Sequence, residues 1–163
     1  MKKTVLALAF AFSASAMAAN PVANVIWSGF VPGSVAGDNL IITGLAGQAI
    51  ANGQLIVATD GTFDSTSVTV ESHTYTPGVA GAPGTTGALA DANWTLSSSQ
   101  VSYSGVSAVG ADLVVKADGA PWTVGSLQSA KNTLNLSVAQ NAPIEVGAGG
   151  SVQAQVTLVA EKV

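Results

Sequence analysis

The C-terminal segment from Val152 to Val163 constrains the fold of this chain most strongly, because apolar and polar side chains alternate along it over about ten residues. The apolar positions of one parity are Val152, Ala154, Val156, Leu158 and Ala160. The other parity includes the polar residues Gln153, Gln155, Thr157 and Glu161, with Val159 as its apolar exception. A period of two residues is typical of a β-strand that buries one face. The glycine-rich run 147–150 before it predicts a turn.

Several other segments have the same strand character. The predicted strands are Leu40–Thr43, Leu55–Ala58, Ser67–His73, Trp94–Leu96, Gln100–Tyr103, Leu113–Lys116 and Thr133–Ala139. Asp-Gly pairs at Asp60-Gly61 and Asp118-Gly119 predict turns between strands. No segment combines helical spacing of apolar residues with capping residues, so we expect almost no helix. Many short strands at close spacing predict an all-β chain folded as a β-sandwich.

Residues 76–91 differ in composition from the segments around them. They read TPGVAGAPGTTGALAD and combine glycine, proline, alanine and threonine. A loop of this length in a compact domain is usually functional or mobile, so we expect a long loop here. Strands of the same kind flank it on both sides, which indicates one domain over residues 33–163 rather than two domains joined by a linker.

The first residues are predicted to be a secretion signal that is not part of the domain. Lys2 and Lys3 precede a short apolar run over residues 4–12, and residues 16–18 form a small-x-small cleavage site. This pattern predicts a signal peptide over residues 1–18. A membrane anchor is the alternative, but the apolar run is shorter than a membrane-spanning helix requires. We therefore expect export into an oxidising compartment, where a chain without cysteine forms no disulfide.

The charge and cysteine content exclude several classes of protein. Charged residues make up 9% of the chain, and its five cationic side chains are all lysines, two of which lie in the signal. Binding to nucleic acid needs clustered cations that neutralise phosphates, so we expect no nucleic-acid partner. With no cysteine and one histidine, structural zinc sites and iron–sulfur clusters are excluded. We expect neither a metal nor a cofactor.

No arrangement of residues in the sequence predicts catalysis. His73 is the only imidazole, and the Gly-x-Ser-x-Gly sequence of a nucleophile elbow is absent, so a Ser-His-Asp triad has no support. We interpret His73 as a polar side chain at a strand end. The acids lie singly, several of them in turns such as Asp60-Gly61, without the paired carboxylates of a glycosidase or a calcium-binding loop. We predict that the chain is not an enzyme.

The three tryptophans allow an alternative function in carbohydrate binding. Trp27, Trp94 and Trp122 can present ring faces to a sugar, which makes a secreted or surface β-sandwich carbohydrate-binding module the alternative prediction. In a strand-rich chain, however, tryptophans more often pack in the core or at a sheet edge.

The segment that follows the signal is apolar on both of its faces. It spans residues 19–32 and reads ANPVANVIWSGFVP. One parity has no polar member and consists of Ala23, Val25, Trp27, Gly29 and Val31. The other parity mixes apolar residues with Asn24 and Ser28. An apolar chain terminus is a liability unless both faces are covered. The segment is therefore a central strand of its own sandwich, or a strand that inserts into a groove on a neighbouring copy.

These features together resemble the major pilins of the chaperone–usher class. The chain has a signal peptide, an apolar alternating N-terminal arm, a cysteine-free strand-rich body and a long alternating C-terminal strand. Gly150 is the fourteenth residue from the C-terminus, where such pilins commonly carry a glycine before alternating apolar residues. Lys162 stands where they commonly carry a penultimate aromatic residue.

The start of the chain extends this resemblance. The stretch Val25-Ile26-Trp27-Ser28-Gly29, followed by Leu40-Ile41-Ile42-Thr43 and Leu45, is similar in layout to the start of such major subunits. The disulfide of the commonest branch is missing. The nearest resemblance is therefore to the cysteine-free branches, the common-pilus type and the colonisation-factor type.

The resemblance implies an immunoglobulin-like β-sandwich that lacks its last strand and is completed by a donor strand from a neighbouring subunit. The implied donor-strand residues are Ala23, Val25, Trp27, Gly29 and Val31. The implied groove residues are Gly150, Val152, Ala154, Val156 and Leu158. A periplasmic chaperone would fill the groove first, and the arm over residues 19–32 of the next subunit would replace it at an outer-membrane usher.

The implied product is a head-to-tail homopolymer rather than a ring, because the contact does not close on itself. By resemblance it is a fimbria on the surface of a Gram-negative bacterium, exported through the periplasm, that supports adhesion to a host-surface receptor.

Overall fold

A computed structural model describes residues 36–37, 39–79, 81–104, 106–107, 111–145 and 149–163. Within these residues the chain forms strands and one 3-10 turn at Leu45–Gly47. The strands are β1 (Leu40–Thr43), β2 (Leu55–Val57), β3 (Phe63–Ser65), β4 (Val68–Thr76), β5 (Thr85–Leu89), β6 (Ala92–Tyr103), β7 (Val106–Ser107), β8 (Leu113–Ala117), β9 (Ala120–Trp122), β10 (Leu127–Lys131), β11 (Thr133–Gln140) and β12 (Val152–Lys162). The all-β prediction is confirmed for the part of the chain that the structure describes.

All strand pairs are antiparallel, and they form two sheets. The larger sheet has the order β1-β4-β11-β3-β2, with β5 paired to β4, β8 paired to β11, and β9 paired to β8. The smaller sheet has the order β10-β6-β12, with β7 paired to β6. Two antiparallel sheets that share one core are consistent with a β-sandwich.

The main core draws buried apolar side chains from both sheets. The larger sheet contributes Leu40, Val70, Val115, Ala117, Trp122 and Leu134, and the smaller sheet contributes Ala92, Trp94 and Leu96. A second cluster consists of Phe63, Val101 and Tyr103. The central strand β6 therefore contributes to both clusters, and it organises the smaller sheet.

A bulge in β6 explains why the sequence predicts two strands where the structure has one. The pairing of β12 with β6 passes from Thr157↔Ser98 to Leu158↔Leu96, so Ser97 is an extra residue on β6. An extra residue reverses the parity of the side chains that follow it. Leu96 and Val101 therefore both face the core although they differ in parity, and a period-two pattern breaks between them.

The structure corrects the prediction of a long loop over residues 76–91. Strand β5 occupies Thr85–Leu89 and forms a hairpin with β4. Every residue of β5 is exposed, so its side chains show no alternation that sequence reasoning could detect. Strands β3, β7, β9 and β10 were likewise not predicted, because they are short or lack a regular apolar pattern. The predicted strand Leu55–Ala58 ends one residue earlier, at Val57.

Both predicted Asp-Gly turns are present. Asp118 and Gly119 form the two-residue connection between β8 and β9 and have φ angles of 50° and 82°, which is the left-handed pair that the tightest hairpins require. Gly61 has a φ of 83°, and a Cβ atom there would collide with the backbone carbonyl oxygen of Ile144. Glycine is therefore required at Gly61 by both conformation and space.

Candidate functional site

Within the described residues, the C-terminal strand β12 is an edge strand over its whole length. It pairs with β6 from Val152↔Tyr103 to Lys162↔Ala92, and among the described residues no strand pairs with its other edge. An eleven-residue strand that rises about 3.3 Å per residue leaves a long row of backbone groups available for a further strand. An edge that no described strand pairs with is a template for strand addition.

The inner side chains of β12 are only half-buried. These residues are Val152, Ala154, Val156, Leu158 and Ala160. The intervening residues on the outer face are exposed. Val156, Leu158 and Ala160 pack against the main core, whereas Val152 and Ala154 pack against the second cluster. The apolar parity of the sequence is therefore the inner face of β12, and that face is incompletely covered by the described residues.

Two strands of the larger sheet flank this uncovered row. Strands β1 and β2 both lie against β12. Each pairs with a single strand in the described part of the chain, β1 with β4 and β2 with β3. In this described part, the edge of β12 that faces away from β6 thus lies beside two other edge strands. This arrangement leaves the apolar row bordered on one side by β6 and on the other by the edge of the opposite sheet.

The implied donor-strand residues lie outside the described residues. These are Ala23, Val25, Trp27, Gly29 and Val31. The implied groove residue Gly150 is described, is exposed and directly precedes Ser151, whose carbonyl accepts the backbone N–H of Ser104. It thus stands just before the entry into β12.

His73 and Glu71 form a covered pair on β4. The Nε2 atom of His73 lies 3.0 Å from Oε2 of Glu71, and its Nδ1 atom lies 2.9 Å from the carbonyl oxygen of Gly87. His73 is 8% exposed and Glu71 is 6% exposed. The interpretation of His73 as a side chain at a strand end is therefore wrong, because β4 continues to Thr76 and covers this imidazole with its neighbours.

A segment that we call the strap, residues 44–50, lies against this pair. The backbone N–H of Gly47 donates to Oε2 of Glu71 at 3.3 Å. The hydrogen bond from His73 lowers the pKa of Glu71 below its ordinary value, the N–H of Gly47 acts in the same direction, and desolvation opposes both. Sequence reasoning missed this site, although Glu71 and His73 are two residues apart and so share one face of a strand.

The other acids with shifted pKa values stabilise turns. The hydroxyl and backbone N–H of Thr62 lower the pKa of Asp60, with hydrogen bonds of 2.7 and 3.0 Å. Lys131 and the backbone N–H of Asn135 lower the pKa of Asp118. Lys131 and Asp118 are both more than one-third exposed, so their ion pair contributes little to stability.

Two of the three tryptophans belong to the core. Trp94 is fully buried and Trp122 is 4% exposed. Their indole N–H groups donate to the carbonyl oxygens of Lys131 and Ser126, at 2.7 and 3.1 Å. Neither ring is available to stack on a sugar. Trp27, the third residue of the carbohydrate-binding alternative, lies outside the described residues.

Two kinds of feature are absent from the described ranges of the chain. There, no group of three or more histidine, cysteine or acidic side chains is arranged to hold a metal ion. In the same residues, no helix has the length and apolar character needed to cross a membrane. A comparison of the sequence with protein-family models finds no match, and a comparison with curated proteins finds none.

Proposed function

We propose that this chain is a structural subunit of a fimbria that polymerises by donor-strand exchange and supports bacterial adhesion. The observation that carries the proposal is the uncovered edge of β12, with its half-buried apolar row, in a chain whose sequence also contains an apolar arm. The proposal includes export through the periplasm, a periplasmic chaperone, an outer-membrane usher and a host-surface receptor. It assigns no catalytic or cofactor-binding residue.

The strand arrangement favours an immunoglobulin-like sandwich that lacks one strand. Its smaller sheet is three strands wide along β12, and the place beside β12 is where a further strand would extend that sheet opposite β1 and β2. A donor strand there would pair with the backbone of β12 and insert alternate side chains over Val152, Val156 and Leu158. The edge of β12 in the structure and the apolar arm in the sequence thus both fit donor-strand exchange.

The energetic reason for assembly is the burial of this row. Apolar surface that leaves water contributes about 25 cal/mol per Å², and a large indole such as that of Trp27 removes about 200 Å² by itself. The backbone hydrogen bonds between the donor strand and β12 fix the orientation and register of the inserted strand. The arm and the groove are separate parts of each copy. Each copy therefore inserts its arm into one neighbour and offers the edge of its β12 to another.

The absence of cysteine from the chain permits a direct test of this contact. We would introduce Ser28→Cys in the arm together with Gln153→Cys, Gln155→Cys or Thr157→Cys on the outer face of β12, and isolate surface material under oxidising conditions. Donor-strand exchange predicts a ladder of disulfide-linked oligomers on non-reducing gels for at least one pair, because cross-strand neighbours approach within disulfide distance.

The single-cysteine variants are the matched controls, since none of them can form more than a dimer. Deletion of residues 20–31 from the mature chain should leave a chaperone-bound subunit that cannot extend a fibre. Normal fibres from the deletion variant, or no ladder with any of the three pairs, would contradict the proposal. The carbohydrate-binding alternative instead predicts a stable soluble monomer when the protein is expressed alone.

A further inference from the structure

His73 is the one histidine of the chain, and both of its ring nitrogens face hydrogen-bond acceptors. One partner is the carbonyl oxygen of Gly87 on β5, and the other is the carboxylate of Glu71. Neither of these groups donates a hydrogen bond when the carboxylate is ionised. A neutral imidazole has a single N–H, whereas an imidazolium has two. Both bonds therefore form together only when the imidazole is protonated.

We propose that His73 is a proton-dependent tie that holds the strap and β5 to β4. With the proton present, the imidazolium donates to Gly87 on one side and to Glu71 on the other, and Glu71 in turn accepts the N–H of Gly47 in the strap. Loss of the proton removes one of these bonds and leaves a ring lone pair facing an acceptor. If the proton leaves Nε2, the buried Glu71 carboxylate loses the imidazole donor and keeps the backbone N–H of Gly47; if it leaves Nδ1, the bond to Gly87 on β5 is lost instead.

No other titratable side chain near the pair is placed to take over this role. Opposite Glu71 and His73, β1 presents Thr43 and Ile41. The neighbours on the remaining elements are Thr133 on β11, Leu89 on β5, and Leu45, Ala46 and Gly47 in the strap. On β4 itself, Tyr75 follows two residues after His73. Among the described residues, these neighbours therefore include no second imidazole or carboxylate.

The position of the strap connects this tie to the uncovered edge of β12. The strap is the first part of the connection from β1 to β2, and these are the two strands of the larger sheet that lie against β12. Loosening the strap would release the border of the apolar row on the side away from β6. This link between the strap and the edge of β12 rests on the proposed function, whereas the proton-dependent tie of His73 does not.

The single histidine makes the tie measurable in the unmodified mature chain. Its Cε1–H signal needs no assignment by mutation, and an imidazole ordinarily titrates between about pH 5 and 8. We expect the amide signals of Gly47, in the strap, and Ala88, which follows the Gly87 carbonyl, to shift with the same midpoint as the imidazole. An imidazole that titrates while both amides stay constant would overturn the proposal.

Hydrogen exchange measured by mass spectrometry tests the same tie in any assembled form of the protein. Relative to peptides from β6, peptides covering 44–50 and 85–89 should lose about threefold to tenfold of their protection between pH 5.5 and 8, the range expected for one net hydrogen bond. His73→Gln should abolish this difference. Lys131→Gln, which removes the exposed ion pair with Asp118 and no contact of His73, should preserve it.

An equal pH response in His73→Gln and the unmodified chain would overturn the proposal, as would unchanged protection of both segments in the unmodified chain. If His73→Gln does not fold, the exchange of the unmodified chain and of Lys131→Gln still decides the matter. Neither readout uses fibre yield, so this result is independent of the cross-linking test of the proposed function.

Discussion

Leu158 of β12 lies directly opposite Leu96 of β6, yet Leu96 is fully buried and Leu158 is only half-buried. The two leucines belong to the same ladder and face the same core. They differ because β6 has a strand on each side, whereas the described residues place a strand on only one side of β12. The difference between this pair marks apolar surface of β12 that the described residues leave partly exposed, and it is the basis of the first two predictions.

The inner face of β12 should not tolerate a charge. Val156→Asp places an unpaired carboxylate among apolar groups, which costs roughly several kcal/mol, so we expect the exported subunit to disappear from the periplasm and the surface. Gln155→Asp places the same group on the exposed face and should be tolerated. Immunoblots of both fractions measure the outcome, and equal levels of the two variants would show that the register of β12 is wrong.

The arm should insert the parity that contains no polar residue. Gly29→Leu is then expected to block assembly, because a side chain would overfill the place where the facing wall approaches closely. Ser28→Leu should have a mild effect, since that position would face away from the groove. The measurement is the yield of heat-resistant polymer on denaturing gels.

These two arm variants also test the opposite register. A one-residue rotation of a strand exchanges its two faces. If Ser28→Leu blocks polymer formation and Gly29→Leu does not, the parity of Asn24 and Ser28 faces inward and the assignment is wrong. Chaperone-bound subunit should be present at equal levels in both variants, which separates assembly from folding.

The main core should depend strongly on Leu134. This side chain is fully buried between the sheets, and truncation of such a leucine to alanine lowers the free energy of unfolding by about 2–5 kcal/mol. Leu134→Ala should lose stability in this range in denaturant titrations. Val159→Ala is the control, because Val159 is 46% exposed; a comparable loss in both variants would contradict the assignment of the core.

Acid should destabilise the fold through carboxylates whose pKa values are lowered. A lowered pKa in the folded chain means that the ionised carboxylate contributes stability above its ordinary pKa of about 4, and that this contribution is lost as the pH falls through the lowered value. Lys131 and Asn135 hold the pKa of Asp118 down in this way. Asp118→Asn should therefore reduce the slope of stability against pH between about pH 4 and 2.

The size of this effect should be small. Asp118 and Lys131 are each more than one-third exposed, and exposed ion pairs contribute about 0–1 kcal/mol. Denaturant titrations of the unmodified chain and of Asp118→Asn across the acid range provide the measurement. An acid slope that is identical in the two proteins would show that Asp118 does not contribute to acid sensitivity.

Long alternating strands were predictable from sequence because one face of each is buried. The burial of β12 follows its apolar parity residue by residue, and β1 occupies its predicted range Leu40–Thr43. Strand β6 was divided in two because the extra residue Ser97 reverses its parity. Strand β5 was missed because all its residues are exposed, so backbone pairing with β4 is the only feature that makes it a strand.

The pair of His73 and Glu71 was not predictable as a site for a different reason. Their spacing places them on one face of a strand, but the acceptor at Gly87 and the donor at Gly47 come from segments that are distant in sequence. Only the tertiary arrangement of the strap and β5 brings these backbone groups to the pair. A lone histidine and a lone acid in a strand have no signature of their own in a single sequence.

The long ladder between β6 and β12 has a mechanical consequence. Because the two strands pair from Val152↔Tyr103 to Lys162↔Ala92, a pull along the strand axis loads the interstrand bonds in shear, so they share the force instead of opening one after another. The register shift between Thr157 and Leu158 interrupts this sharing near the middle of the ladder. Under tension along β12, the ladder should therefore yield first beside Ser97.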